Sequence, residues 1–135
     1  MYGFDSFEGI NEDWYGTSKT KKSFDNFGKI PKVNSNVVIV KGLIQDTLPE
    51  FLQKNKEKKI AFVHMDLDTY ESSRFVLEQV KPYLKKSCII LFDEIYNFPG
   101  WSVGEYKALT DSFKENEYSF FGFSSNGSGA AIRVN

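Results

Sequence analysis

Cysteine is almost absent from this sequence, and its scarcity excludes one class of small protein. Cys88 is the single cysteine among 135 residues, so no disulfide can form within the chain and a disulfide-stapled secreted scaffold is excluded. Because Cys88 precedes the apolar run of residues 89–92, we expect it to be a buried small hydrophobe. A reducing compartment is indicated, and we predict a cytoplasmic location.

Long apolar runs and dense basic tracts are absent as well. No apolar stretch is long enough to span a bilayer, and the start of the chain lacks the basic-then-apolar layout of a signal peptide. The 18 acidic and 17 basic residues nearly cancel, and the lysines are spread along the chain. We therefore expect neither nucleic acid nor a membrane as a partner. The length and the apolar content predict a single domain over residues 1–135.

Short apolar runs alternate with helix-like segments, which indicates an α/β fold with a mostly parallel sheet. Strands are predicted at residues 2–5, 36–42, 59–68, 85–94, 118–124 and 129–135. The last two run antiparallel, because the turn-rich residues 125–129 are too few for a parallel crossover. Residues 11–35 are polar and rich in lysine, glycine and serine, and we expect a long surface loop that is either functional or mobile.

Helices are predicted between these strands. Asp46 or Thr47 can cap a helix of two to three turns with Pro49 in its first turn. Apolar residues recur at helical spacing over residues 70–84, and a third helix is expected over residues 103–116.

Acidic side chains follow two of the predicted strands. Asp66 and Asp68 end a nearly continuous apolar strand, which we expect to be covered on both faces, and Asp93 and Glu94 end the next. Ligands of open α/β sheets bind beyond the carboxyl ends of parallel strands, and adjacent strands lie about 4.8 Å apart. Clustered carboxylates repel one another unless a hard divalent cation joins them. The sequence thus predicts a Mg²⁺ site formed by Asp66, Asp93 and Glu94.

Two residues of this segment keep alternative interpretations. Asp68 can instead cap the helix that follows it, or orient a neighbouring group. His64 lies on the same strand face as Asp66 by alternation, where it is either a hydrogen-bonded core residue or a catalytic base.

Two other enzyme classes place an acidic pair after an apolar strand. Residues 63–69, "VHMDLDT", match the D-x-D-x-T nucleophile motif of haloacid dehalogenase-type phosphatases. Only 24 residues separate Asp68 from Asp93, which leaves no room for the intermediate strand of that family. The D-x-D of nucleotide-sugar glycosyltransferases normally follows a long nucleotide-binding region and needs no second acidic motif such as "FDE".

One resemblance extends over nearly the whole chain. The segments "YGFDSFEGINEDW", "VKGLIQDTLPEFL", "AFVHMDLDTYESSRFVLEQVKPYL", "IILFDEIYNFPGWSVGEYKAL" and "AAIRV" resemble, in this order and spacing, the macrocin O-methyltransferase (TylF-like) family of class I S-adenosylmethionine-dependent methyltransferases. The strings "FDSFEG" and "DLDTYES" are specific in combination. The resemblance implies a Rossmann-like three-layer sandwich with strand order 3-2-1-4-5-7-6 and an antiparallel C-terminal strand pair.

The resemblance also implies roles for individual residues. The acid at the end of the family's second strand holds the ribose of the cofactor, which here is Asp5, although Asp5 can also simply form a turn before Ser6. The expected cofactor residues are Asp5, Ser6, Phe7, Gly42, Leu43 and Ile44. Mg²⁺ would bind to Asp66, Asp93 and Glu94, as the strand ends also predict. We expect Asp66 to be the catalytic base, with Asp68 or His64 as alternatives.

The resemblance implies a function and some residues of the acceptor site. The expected activity is methyl transfer to a hydroxyl of a sugar or sugar-containing small molecule, assisted by Mg²⁺. Tyr96 and Trp101 could wall the acceptor pocket or simply pack, and Trp14 could belong to a lid.

The chain departs from the family at its start. Only four residues precede Asp5, so the first strand and the glycine-rich cofactor loop of the family have no counterpart, and we expect an N-terminally truncated domain. Either the strand at residues 2–5 pairs directly with that at 60–65, or a homodimer covers the open edges. An inactive fragment that binds the cofactor weakly or not at all is the alternative to an active enzyme.

Overall fold

The computed structural model describes residues 1–125 and 127–135, whose strands form two separate sheets. A two-stranded parallel sheet joins β1 to β2, and a four-stranded sheet has the order β3-β4-β6-β5. β3 and β4 are parallel, whereas β6 runs antiparallel to both β4 and β5. The strands are β1 (Tyr2–Asp5), β2 (Val38–Lys41), β3 (Ile60–Met65), β4 (Leu84–Phe92), β5 (Tyr118–Phe123) and β6 (Ala130–Val134).

The helices connect the strands in the alternating pattern that the sequence predicts. They are α1 (Ile44–Lys54), α2 (Tyr70–Val80) and α3 (Glu105–Ser112), with short 3₁₀ turns at Lys81–Tyr83, Trp101–Val103 and Glu115–Glu117. No helix within the described residues is long and apolar enough to cross a membrane. The α/β fold class is therefore confirmed, including the antiparallel C-terminal pair.

The strand order agrees with the order that the resemblance implies, except at one place. The observed order is β2-β1, a gap, and then β3-β4-β6-β5. It matches the family order 3-2-1-4-5-7-6 when strand 1 of the family is left out. Of the two alternatives for the open edges, the direct pairing of β1 with β3 is wrong, because β1 pairs only with β2 among the described residues. The inner edges of the two sheets therefore face a position that the described residues leave unfilled.

The prediction that β3 is covered on both faces is also wrong. Its residues Ala61, Phe62 and His64 are exposed, and Phe62 retains 49% of its accessible surface. The reason is its place at the open edge of the four-stranded sheet, where the described residues supply no neighbouring strand. β4 lies inside the same sheet, and its Cys88, Ile90 and Phe92 are fully buried, as predicted for Cys88.

Helix boundaries differ from the sequence-based predictions by a few residues, for local reasons. α1 starts at Ile44, earlier than a cap at Asp46 or Thr47 would give, because Gly42 turns the chain at φ 142° and Leu43 becomes the N-cap. Pro49 consequently lies inside the helix instead of its first turn.

The other two helices are shorter than predicted. α2 ends at Val80, because Pro82 belongs to the 3₁₀ turn that leads into β4. α3 spans only Glu105–Ser112 of the predicted segment 103–116, with a 3₁₀ turn near each end.

The hydrophobic core lies between α2, α3 and the buried faces of β4 and β6. Leu77, Ile90, Leu109 and Ile132 are fully buried there. This packing fixes the carboxyl ends of β3 and β4 side by side, with Asp93 N–H donating to Met65 O at 3.1 Å. The residues after both strands therefore meet at one rim.

Candidate functional site

A cleft of about 450 Å³ opens at the carboxyl ends of β1, β2, β3 and β4. Its position agrees with the general rule for open α/β sheets. Of the described residues, five acidic side chains line the cleft and no basic side chain does. The lining residues come from both sheets and from the long loop, so the cleft bridges the gap between the sheets. They are Phe4, Asp5, Ser6, Gly9, Ile10, Asn11, Trp14, Phe24, Gly42, Leu43, Ile44, Asp66, Leu67, Asp68, Ser72, Asp93 and Glu94.

Three carboxylates form a compact cluster at the rim. One oxygen each from Asp66, Asp68 and Glu94 lies within 4.8 Å of the other two. The predicted trio contained Asp93 in place of Asp68, and Asp93 lies beside this cluster, where its charge acts on all three members. The structure therefore brings four of the predicted acids together, with Asp68 more central than expected.

The members of the cluster disfavour one another's ionisation. Burial, followed by the charge of Asp66, raises the pKa of Asp68 to about 6. Burial, followed by the charges of Asp68 and Asp93, raises the pKa of Glu94 to about 7, and a hydrogen bond joins its side chain to that of Asp68. Burial and the charge of Asp93 also raise the pKa of Asp66. Near neutral pH, Asp68 and Glu94 thus compete for a proton.

Local backbone geometry turns Asp68 toward the cluster. Asp68 has a φ of 62°, which is unusual for a residue other than glycine, and Thr69 N–H donates to Leu67 O at 2.6 Å. This tight turn leads into α2, whose N-cap is Thr69. The alternative role of Asp68 as the side-chain cap of α2 is not observed, because the N-cap is Thr69 and makes no side-chain cap hydrogen bond.

His64 lies at the margin of this acidic rim. Its Nε2 is 4.0 Å from Asp93 Oδ1, and both side chains are about half exposed. His64 does not line the cleft, in contrast to the acids. Its position is that of a neighbour of the cluster and not of a buried core residue.

Most of the residues predicted to contact the cofactor lie together on the opposite wall. Asp5, Ser6, Gly42, Leu43 and Ile44 all line the cleft. Asp5 also forms the turn that its alternative interpretation suggested, since its Oδ1 accepts the N–H of Phe7 at 2.7 Å.

Phe7 is the exception among these residues. It does not line the cleft, and its side chain is buried. Its carbonyl oxygen accepts the N–H groups of Asn26 and Gly28, so Phe7 anchors the long loop.

The long loop contributes to the wall of the cleft through Asn11, Trp14 and Phe24. Trp14 lines the cleft and packs edge-on against Phe98. Gly16 and Gly100 permit a close approach of the two loops, since a Cβ at either position would collide with backbone of the other loop. A second cavity of about 380 Å³ lies between the long loop and the start of α2, and it shares Trp14 and Asp68 with the cleft.

Sequence reasoning missed one acid of this region and left the role of two aromatic residues open. Glu105 is fully buried at the start of α3, and its Oε1 accepts the N–H of Leu67 at 3.4 Å. An acid at the start of an amphipathic helix gives no signal of burial in a single sequence. Tyr96 and Trp101, which were expected to wall an acceptor pocket or simply to pack, pack against Phe123 and Tyr106 and line neither cavity.

Solved structures similar to this chain include two of one enzyme. The crystal structure of CalS11, a calicheamicin methyltransferase, has a TM-score of 0.77 and 26% identity over 98% of this chain and 59% of that one. The apo structure of CalS11, described as a TDP-rhamnose 3'-O-methyltransferase, has a TM-score of 0.63 and 33% identity over 81% of this chain and 45% of that one.

A third structure supports the fold alone. The O-methyltransferase NovP has a TM-score of 0.63 and 20% identity over 99% of this chain and 59% of that one. The chain thus spans about three fifths of the length of CalS11 and NovP. A comparison with curated protein sequences finds no significant match.

A family model gives the assignment. The model described as "Methyltransferase domain" matches residues 1–95, which include β1 to β4 and the acids at their carboxyl ends. Because this match covers more than half of the chain, the protein belongs to the methyltransferase domain family.

Proposed function

We propose that this chain carries the catalytic rim of an S-adenosylmethionine-dependent O-methyltransferase of the TylF-like type. Its acceptor is a hydroxyl of a sugar or of a sugar-containing small molecule, and Mg²⁺ assists the transfer. The observation that carries the proposal is the single cleft that combines the predicted cofactor residues with four clustered acids. The likeness to CalS11, a TDP-rhamnose 3'-O-methyltransferase, supports the acceptor class.

The cleft fits a nucleoside-sized cofactor. Its volume lies within the range of roughly 300–1,000 Å³ that is usual for small-molecule sites. One Asp5 oxygen is held by Phe7 N–H, which leaves the other to accept ribose hydroxyl groups. Leu43 and Ile44 offer apolar surface for the adenine. Bound S-adenosylmethionine supplies an electrophilic methyl group.

The acid cluster fits a hard divalent cation. Asp66 and Glu94 would offer oxygen ligands beside Asp68, and burial followed by the neighbouring negative charges raises the pKa of both, which a bound cation would offset. Asp93 is the further ligand that the strand ends predict. Bound Mg²⁺ supplies positive charge that favours deprotonation of an acceptor hydroxyl.

Asp68 is the residue that we propose as the general base. It lies where the cleft and the second cavity meet, so an acceptor in the second cavity reaches Asp68 from one side and the cofactor lies on the other. With a cation on Asp66, Asp93 and Glu94, the trio that the strand ends predict, Asp68 would stay free to take the proton of the acceptor hydroxyl. Asp66, our first expectation for this role, lines the cleft only, and His64 lines neither cavity.

One observation favours a second candidate function. The position between β1 and β3 is unfilled by the described residues, and the glycine-rich cofactor loop of the resembled family follows the strand that would lie there. A methyltransferase-like fragment that holds the cofactor weakly is the alternative. The phosphatase alternative loses its basis with the family assignment.

Calorimetric titration with S-adenosylhomocysteine, with and without Mg²⁺, separates the two candidates. We expect measurable binding that Mg²⁺ strengthens or leaves unchanged. No heat at millimolar ligand would contradict the enzyme proposal for this chain and leave the family assignment intact.

The metal is tested separately by thermal unfolding. A ligand that binds only the folded state raises the melting temperature. We expect Mg²⁺ to raise that of the unaltered protein and of the Asp46→Asn control, an exposed acid outside the cleft. Asp93→Asn and Glu94→Gln should lose this rise, and a full rise in both variants would contradict the metal site.

A further inference from the structure

Glu105 is an acid that the proposed reaction does not use. Among the described residues it is the one acidic side chain that is buried, with 2% of its surface exposed. It begins α3, directly behind the turn of residues 66–68. Its Oε1 accepts the N–H of Leu67 at 3.4 Å, and its Oε2 has no hydrogen-bond partner in the described part of the chain. A buried polar atom without a partner is costly, so this position calls for a reason.

The N–H of Leu67 lies just beyond the end of the strand ladder. The last interstrand bond between β3 and β4 runs from Asp93 N–H to Met65 O. The next acceptor along the ladder would be Asp93 O. This oxygen accepts a hydrogen bond from the Ser128 hydroxyl at 3.3 Å. Glu105 therefore accepts the N–H of Leu67 at the point where the backbone leaves the sheet.

Leu67 is the residue between the two acids of the turn. The orientation of its peptide decides where the side chains of Asp66 and Asp68 point, and the following residue already adopts a φ of 62°. Burial raises the pKa of Glu105 well above its ordinary value, and a glutamine in its place would keep an acceptor oxygen on a side chain of the same length.

We propose that Glu105 is a positioning residue: by accepting the Leu67 N–H it holds the turn that presents Asp66 and Asp68 to the same cleft. The functional part of this inference, that the turn presents Asp66 and Asp68 for catalysis, rests on the proposed function. The structural part stands on the Leu67 hydrogen bond alone and is measurable without any activity.

Amide hydrogen exchange of ¹⁵N-labelled protein tests the structural part. In Glu105→Leu we expect the Leu67 amide to exchange about tenfold faster, while the Ile90 amide in the β4 ladder stays unchanged as a measure of global stability. Glu105→Gln keeps the acceptor oxygen and should keep the slow exchange. Leu109→Ala is the matched control, because it leaves a cavity under the same helix and keeps Glu105 as the acceptor of the Leu67 N–H.

Mg²⁺ affinity tests the functional part. Loss of an outer partner of metal ligands lowers affinity by about tenfold or more, so Glu105→Leu should bind Mg²⁺ correspondingly more weakly and Glu105→Gln should be close to the unaltered protein. If Glu105→Leu does not fold, Glu105→Asp, which keeps the acid but shortens its reach, takes its place.

Three results would overturn the inference. These are an unchanged Leu67 exchange rate in the folded Leu or Asp variant, unchanged Mg²⁺ affinity despite faster exchange, or a Gln variant as impaired as Leu. If the unaltered protein binds no Mg²⁺, the metal part of the proposed function fails. The carboxyl ¹³C shifts of Asp66 and Asp68 then replace affinity as the readout, and they should move in Glu105→Leu only.

Discussion

At the scale of single residues, the proton shared by Asp68 and Glu94 makes stability depend on pH. Their pKa values rise on folding from 3.8 to about 6 and from 4.5 to about 7. The folded protein therefore binds more protons than the unfolded chain between about pH 4 and pH 7, and these two groups remove stability as the pH rises through that range.

Glu94→Gln tests this dependence in metal-free protein. We expect the variant to lose less stability than the unaltered protein between pH 5 and pH 8. At pH 8 it should be the more stable by roughly 1 kcal/mol, a value reduced for solvent screening at this partly exposed site. Thermal unfolding in a chelator measures the difference, with Glu57→Gln as an exposed control. Parallel pH profiles for Glu94→Gln and the unaltered protein would contradict the coupling.

The residues that sequence reasoning found and those it missed differ in one physical respect. Asp66, Asp68, Asp93 and Glu94 follow apolar strands directly, so chain position alone places them at the rim. Glu105 reaches the same turn from a helix far along the chain, through packing of α3 that periodicity does not encode. The central place of Asp68 likewise depends on one backbone dihedral angle that no spacing rule predicts.

At the scale of elements, α2 carries two buried neighbours whose side chains have opposite effects on the free energy of unfolding. Ser73 and Leu77 lie one turn apart, and both are fully buried. The Ser73 hydroxyl has no hydrogen-bond partner among the residues that the structure describes. We expect Ser73→Ala to be neutral or to stabilise by about 0.5–1 kcal/mol, because it removes that hydroxyl and favours the helix.

Leu77→Ala is the matched contrast, with an expected loss of about 2–5 kcal/mol from the cavity that it leaves. Urea unfolding measures both free energies. A Ser73→Ala variant that loses as much as Leu77→Ala would show that the hydroxyl has a partner in solution.

The same elements show how far pattern reasoning extends. Every strand and helix was predictable in type, because apolar periodicity separates the two. The start of α1 was not predictable, because the conformational freedom of Gly42 lets the helix begin before its polar cap candidates. The exposure of Phe62 was not predictable either, because an apolar strand implies burial only when it has neighbouring strands on both sides.

At the scale of the whole molecule, the unfilled position between β1 and β3 is the basis for the predicted homodimer. Both inner edges present unpaired backbone groups among the described residues, and Phe62 adds exposed apolar surface. We expect a homodimer that covers these edges.

Light scattering after size-exclusion chromatography measures this association. Phe62→Lys should shift the protein to monomer, because a charge blocks pairing at this edge. Phe121→Lys is the matched control: it lies on β5, the outer edge of the same sheet, and is similarly exposed. A dimer that persists in Phe62→Lys and dissociates in Phe121→Lys would place the interface at the outer edge instead.

The acidic lining of the cleft has a consequence for the cycle of the proposed enzyme. S-adenosylmethionine carries a positive sulfonium, and S-adenosylhomocysteine does not. A carboxylate outside the proposed metal site, such as Asp5, attracts a unit charge about 8 Å away by about 2 kcal/mol at an effective dielectric constant of about 20. Methyl transfer abolishes that charge. In the proposed enzyme the reaction would therefore cancel part of the attraction that holds the cofactor, and the product would leave a cleft that again favours a cation.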